Sequence, residues 1–460
     1  MSHERSVSAL PHELEPETVW NVRMPEIRVG ARAVEEIGHQ LRSLGVGAGD
    51  RGLVVTDGTL AGLGHADRVT DVVEDGGFDV DVYDGCTREP SLADVEACLA
   101  FVREEGDASS GDRGASDGDG DGESSGEDGG YDFYVGLGGG SCLDTAKVAR
   151  AVVANGGEPL DYIAAPTGEG ESLTESGEPL VLMPTTAGTG SEISPVAILA
   201  VEEQEIKEGI SSNHVRADAA VLDPTLTTTL PPELTAKTAM DALGHAIEGY
   251  TTHRYDELLR ASDPSTRPVY AGRTPVTEAF SEKAIRLLSG NVRRAVHNGE
   301  DLEAREAMLQ GALFGAIAGL TAGASLCHAI AYPVGNRYHT YHGETIAALT
   351  PASTLGFNVG SDPAQFARVA ELFGIDTTGM RDREAAATLR EEYVDLQRDL
   401  SVLPSGLAEL AGIDADDDEE IEWLARQTVE TQERILRCNP RPVTQEDVEG
   451  ILRDALYNWE

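Results

Sequence analysis

Lysine is nearly missing from this 460-residue chain: Lys147, Lys207, Lys237 and Lys283 are all it has. Positive charge of any kind is scarce, with 35 Lys and Arg against 81 Asp and Glu and a formal net charge of −46. Such a surface repels phosphate, which excludes nucleic acid and an anionic membrane as partners. Arginine carries nearly all the positive charge, and the acid excess runs along the whole chain. That composition suits very high salt, where screening removes the self-repulsion of a folded polyanion, so a halophile's cytoplasmic protein is expected. Cysteine is sparse as well. Cys86, Cys98, Cys142, Cys327 and Cys438 are odd in number and scattered without a CxxC pair, which excludes a disulfide framework and a cysteine metal site. The opening MSHERSVSALPHELEPE lacks the basic start and apolar run of a signal peptide. Long apolar runs are missing too, apart from the uncharged stretch Ala307 to Asn336. Its Gly and Ala content, with His328 and Tyr332 inside it, predicts a buried helix of a large domain rather than a membrane span.

A chain of this length exceeds one ordinary hydrophobic core, so two domains are expected. In the first half, short continuous apolar runs such as RGLVVTD (Arg51 to Asp57) and the run at Phe78 to Tyr83 alternate with helical patterns, which predicts an open, mainly parallel α/β sheet. Asp107 to Gly130 is almost free of apolar residues and reads as a disordered acidic insertion. Beyond Pro231 and Pro232 nearly every apolar pattern has helical period. A boundary therefore falls between 225 and 231, giving an α/β nucleotide-binding domain over 1–228 and an all-α metal-binding domain over 229–460.

Two loops point to a dinucleotide. In YDFYVGLGGGSCLDTAK a strand runs into Gly138, Gly139 and Gly140, and a helix starts at Ser141, so backbone N–H groups and a helix N-terminus can meet a phosphate. In LVLMPTTAGTGSE a second strand ends in Thr185, Thr186, Gly188, Thr189, Gly190 and Ser191. Loops of this kind at strand C-termini of one sheet are where a nucleotide lies. Asp57, at a third strand end, suits a ribose hydroxyl and disfavours a 2′-phosphate, which favours NAD over NADP.

MDALGHAIEGY places Asp241, His245 and Glu248 at i, i+4 and i+7, one polar stripe on a helix starting near Pro232. Such a stripe usually faces solvent. Asp241 and His245 gain a different meaning from His328, read as near the C-terminal end of the Gly/Ala helix, and His342, near the start of the next one. Three imidazoles and a carboxylate suit Fe²⁺ or, alternatively, Zn²⁺; His339 is an alternative third-helix ligand. Glu248 is read as orienting a ligand or simply facing solvent.

VVTD, GGGSCLDTAK, PTTAGTGSE, MDALGHAIE and His328 followed by Tyr-His-Gly at 341 to 343 together resemble the iron-containing, or group III, alcohol dehydrogenase family, from about Thr18 to Leu452. The resemblance implies a metal-dependent NAD oxidoreductase. It assigns Asp241, His245, His328 and His342 to the metal, favouring His342 over His339. It assigns Asp57, Gly138, Gly139, Ser141, Asp144, Thr185, Thr186, Thr189 and Lys207 to the dinucleotide. Tyr332 stands where many members carry a further histidine, and is the candidate catalytic residue here. With GCTREPS, LDYIAAPTGEG and STRPVYAGRTP, it is similar to the hydroxyacid-oxoacid transhydrogenase branch, which implies 4-hydroxybutyrate and 2-oxoglutarate as substrates. Arg254, Arg267 and Arg273 are the cations available for a dicarboxylate. The expected partners are a small alcohol or hydroxyacid and a second copy of the chain, as a dimer. A sugar-phosphate cyclase or glycerol-phosphate dehydrogenase would need a Lys/Arg cluster for the substrate phosphate, and none stands out. A non-catalytic nucleotide-binding protein is the third reading.

Overall fold

Short runs of Val, Leu and Gly build a six-stranded parallel sheet in the computed structural model, which describes residues 15–110, 130–201, 206–264 and 267–459. Its strands are β1 (Glu26–Val29), β2 (Arg51–Asp57), β3 (Asp79–Cys86), β4 (Phe133–Gly138), β5 (Leu180–Pro184) and β8 (Ala219–Leu222), in the order β1-β8-β5-β4-β2-β3. Successive side chains alternate between two separate cores. Leu53, Val55, Tyr134 and Leu182 enter one, while Val54, Phe133, Val135 and Val181 enter the other. Burial on both faces is why these strands read as unbroken apolar runs. A separate antiparallel hairpin joins β6 (Val196–Val201) to β7 (Ile206–Ser211).

The helices of this unit are α1 (Ile37–Ser43), α2 (Gly58–Gly62), α3 (His65–Asp75), α4 (Leu92–Ser110) and α5 (Gly140–Asn155). α4 runs into the start of the acidic stretch, to Ser110; the rest of that stretch, 111–129, lies outside the described residues, as do residues 1–14. Pro25–Thr186 with Ser191–Thr227 form one compact unit. The segment ending at Met24, Ala187–Gly190 and Thr228–Glu460 form the other.

The second unit is helical. Its first elements are α6 (Pro232–Thr251), α7 (Pro275–His297), α8 (Leu302–Ala322), α9 (Leu326–Tyr338) and α10 (His342–Leu349), followed by further helices to Gln445–Asp454. Pro232 opens α6, where its missing N–H has no intrahelical partner to lose. α6 packs against α7, α8 and α10. A Cβ on Gly315 or Gly319 would lie 2.8 Å from the carbonyl oxygen of Ala242 or His245, so the small residues of α8 let two backbones touch. From Thr235 onward nearly all of α6 is buried, its polar stripe included, contrary to the usual solvated face.

The Gly/Ala stretch is not one helix. The chain leaves α8 at Gly323, with φ +114°, and restarts in α9. The two helices are bent by 98°, and no single helix among the described residues is long and apolar enough to cross a membrane. His328 therefore sits in the first turn of α9, not near the end of a long helix. His342 is the first residue of α10, as expected.

Candidate functional site

Asp241 lies on the buried face of α6, and its Oδ1 is 3.6 Å from His328 Nε2, 3.6 Å from His342 Nε2 and 4.0 Å from His245 Nε2. These separations are too long for hydrogen bonds. The two 3.6 Å separations are close to those of donor atoms that each stand about 2.1 Å from one tetrahedral ion, which are about 3.4 Å apart. One donor atom each from Asp241, His328 and His342 lie within 4.8 Å of one another. His245 falls outside that set, but its ring stacks on His328 with centroids 4.6 Å apart. Asp241 Oδ1, His328 Nε2 and His245 Nδ1 are buried without a hydrogen-bond partner. Buried polar atoms left in this state are costly unless another group completes them. A divalent cation among the first two fits that need.

The electrostatics suit the same conclusion. Burial opposes ionisation of Asp241, but the His245, His342 and His328 rings outweigh it and hold its carboxyl well below the usual range. Burial pushes His245 down to about 4, so it is a neutral lone-pair donor at ordinary pH. His328 is opposed by burial, yet the Glu248 and Asp241 carboxylates raise it to about 9.

Glu248 is fully buried rather than solvated, which overturns the simpler reading of the stripe. Its Oε2 accepts from His328 Nδ1 at 2.6 Å and from Ser325 N at 2.8 Å; its Oε1 accepts from Cys327 N at 2.8 Å and Thr354 Oγ1 at 3.0 Å. The carboxylate thus caps the N-terminus of α9 and fixes the His328 tautomer, leaving Nε2 directed at Asp241. His339 is exposed, with φ +52°, at the C-terminal cap of α9, and takes no part in the cluster. Tyr332 is half-buried, with its ring centroid 5.6 Å from that of His342. It packs against the small core of Tyr270, Ala324, Ala329, Ile435 and Cys438. Arg254, Arg267 and Arg273 are each engaged by a carboxylate, Asp256, Glu17 and Glu278 respectively. Arg273 keeps a buried Nε without a partner.

In the sheet unit, Asp57 ends β2 and caps α2, its Oδ1 accepting from Thr59 N at 2.8 Å and Leu60 N at 3.0 Å. Gly138 ends β4 at φ +151°, where a Cβ would lie 2.5 Å from Cys142 Sγ, so a side chain is excluded on two grounds. Gly139 is the N-cap of α5, whose first N–H groups have no intrahelical partner and favour an anion. Ser141 Oγ donates to Arg88 O at 2.7 Å. Thr185 N donates to Gly138 O at 2.9 Å, tying the second loop to the first, and Thr186 lies beside Gly139. Thr189 is exposed and falls in the segment that belongs to the helical unit. Lys207, on β7, pairs with Glu89 at 3.0 Å.

Asp144 is turned inward. It accepts from Lys147 Nζ at 3.1 Å, Ser191 Oγ at 2.5 Å and Ile198 N at 3.0 Å, so both oxygens hold the two loops together from beneath. Glu192 is buried beside this network, and burial pushes its carboxyl up to about 7 against an ordinary 4.5. A raised carboxyl pKa means that the folded chain keeps a proton the unfolded chain has lost. The associated stability is complete below about pH 4.5 and disappears as pH rises through about 7. Glu192→Gln is therefore expected to gain stability on the native chain by about 3 kcal/mol between pH 4.5 and pH 8. Denaturant midpoints across that range check it, and parallel profiles would contradict it.

Among families of known proteins, the description "Iron-containing alcohol dehydrogenase" matches residues 25–108 and 122–224, and "Fe-containing alcohol dehydrogenase family, C-terminal" matches 269–456. The mitochondrial hydroxyacid-oxoacid transhydrogenase of Bos taurus is 30% identical over 456 residues, covering 95% of this chain and 90% of the relative. The NAD-dependent methanol dehydrogenase of Bacillus methanolicus is 32% identical over 434 residues, covering 94% and 98%. A crystal structure of 1,3-propanediol oxidoreductase superposes with a TM-score of 0.79 at 28% identity, over 95% of this chain and 100% of that one.

Proposed function

Because the chain belongs to the iron-containing alcohol dehydrogenase family, and so is a metal-dependent, NAD-linked oxidoreductase of CH–OH groups, we propose that Asp241, His245, His328 and His342 hold its divalent metal and that it oxidises a small hydroxyacid against an oxoacid. The metal assignment is carried by one observation: the buried, partnerless Asp241 Oδ1 and His328 Nε2 face each other at 3.6 Å. Three imidazoles and one carboxylate suit Fe²⁺ and also accept Zn²⁺.

When bound, the metal supplies a Lewis acid for the substrate oxygen and NAD supplies a hydride acceptor. Asp241 provides the one formal negative charge among the proposed ligands, which holds a divalent ion without neutralising it. Glu248 keeps the proton of His328 on Nδ1, so that Nε2 stays available at the site. Burial of Asp241, His245 and His328 excludes competing water. Tyr332 borders His342 and is the proposed proton relay or pocket wall on that side. For the dinucleotide, Gly138, Gly139, Ser141, Thr185 and Thr186 form the proposed phosphate cradle, with Asp57 at the ribose. Asp144 supports the cradle through Ser191 rather than by direct contact, and Lys207 enters as the cation of the β7 edge.

The hydroxyacid reading is supported by likeness to the transhydrogenase over nearly the whole chain and by Tyr332 together with the sequences GCTREPS, LDYIAAPTGEG and STRPVYAGRTP. With 4-hydroxybutyrate as donor, oxidation is expected to need 2-oxoglutarate and to proceed without build-up of free NADH. NADH accumulating in step with oxidation, and no stimulation by the oxoacid, would mark a simple dehydrogenase instead. The net charge of −46 supports a working solvent of high ionic strength.

A further inference from the structure

His342 is the least enclosed of the four proposed ligands, with a side chain 36% exposed against 5% for Asp241 and 3% for His328. His328 is held by Glu248 through its Nδ1. One turn before Asp241 on α6, Lys237 reaches Glu344, two residues beyond His342, with Nζ 2.6 Å from Glu344 Oε1. The same Nζ is 2.5 Å from Glu233 Oε1 and 4.4 Å from the centroid of the Tyr341 ring. Lys237 is thus pinned between two carboxylates and an aromatic face, with its side chain 6% exposed. Helix backbones meet at this point: a Cβ on Gly343 would come within 2.0 Å of the Lys237 carbonyl oxygen. The residues flanking His342, Tyr341 and Gly343, therefore both touch Lys237. In a chain with four lysines, one stands here.

We infer that Lys237 and Glu344 form an inter-helix latch that positions His342 beside Asp241 for the metal. The inference rests on the metal reading above. The ion pair fixes the first turn of α10 against α6, so that the register between the two helices, and with it the distance from His342 Nε2 to Asp241 Oδ1, is set by a bond largely shielded from solvent. Lys237 and Glu344 are positioning residues and touch no substrate. The Glu233 contact adds little, because that carboxylate is 60% exposed and screened.

Cobalt(II) titration of the metal-free, full-length protein, followed by visible absorption, tests the latch without recourse to activity. Lys237→Met and Glu344→Gln are each expected to weaken Co²⁺ binding about 10-fold and to alter the ligand-field bands. The Lys237→Met/Glu344→Gln double variant, which leaves no unpaired buried charge between the helices, should lose no more than the weaker-binding single. In a His342→Ala background, Lys237→Met should bring no further loss. Unchanged affinity in the single variants would overturn the latch, and so would an equal loss with His342 already removed, which marks general destabilisation. A native chain that takes up no Co²⁺ would overturn the metal reading itself, and the latch with it.

Discussion

Asp241→Asn is expected to abolish metal binding and to lower kcat/KM by roughly 10³-fold, because it removes the charged ligand while keeping the side-chain shape. Asp241 is the only carboxylate in the proposed donor set, and its ionised form is stabilised by three imidazoles against the cost of burial. An amide in its place offers a neutral oxygen and no negative charge to hold a divalent ion. The loss corresponds to about 4 kcal/mol of transition-state stabilisation, the scale of a Lewis acid acting on one oxygen. Fold should persist, since Asp241 makes no hydrogen bond that the core depends on through Oδ1. Elemental analysis of anaerobically purified protein, with circular dichroism as the check on fold, reads the result. Retained metal and activity would remove Asp241 from the mechanism.

Removing Glu248 should cost both stability and metal. Glu248→Ala leaves His328 Nδ1, Ser325 N, Cys327 N and Thr354 Oγ1 without their acceptor. A buried charged hydrogen-bond hub broken on one side costs on the order of 3–5 kcal/mol. The start of α9, which carries His328, loses its cap at the same stroke. Glu248→Gln separates the two effects. Its amide oxygen still accepts two of the four hydrogen bonds while its NH2 faces the other two donors, so part of the stability survives, but it does not supply the negative charge that keeps the proton on His328 Nδ1. Metal affinity is then expected to fall 10- to 100-fold with NAD binding unchanged. Equal affinities in Glu248→Gln and the native chain would show that Glu248 serves the fold alone.

What the sequence could disclose followed from local chemistry. The strands of the parallel sheet are legible because burial on both faces leaves unbroken apolar runs, as in Arg51 to Asp57 and Phe133 to Gly138. The glycine turn at Gly138 is legible because the backbone there adopts a conformation that side chains resist. The i, i+4 spacing that puts Asp241 and His245 on one face of a helix needs only helical period. Where tertiary packing decides, single-chain reasoning failed. Glu248 stayed open between orienting a ligand and facing solvent, because nothing local says that α7, α8 and α10 pack against α6. The break between α8 and α9 hides in a run of Gly and Ala that would suit one long helix; the Glu248 carboxylate, 77 residues away from Ser325, accepts from Ser325 N and so favours a helix start there. Asp144 carried a dinucleotide assignment, yet its oxygens are engaged by Lys147, Ser191 and Ile198. The Lys237–Glu344 pair spans more than a hundred residues and leaves no local trace in the sequence.

The central claim is that one metal ion is held jointly by α6, α9 and α10. Anomalous diffraction at the iron and zinc edges, from crystals of the anaerobically purified native chain, tests it most directly. A single peak is predicted about 2.1 Å from Asp241 Oδ1 and from Nε2 of His328 and His342, with the His245 ring drawn in as the fourth donor; density for a metal elsewhere, with these four side chains at their present separations and no peak among them, would contradict it.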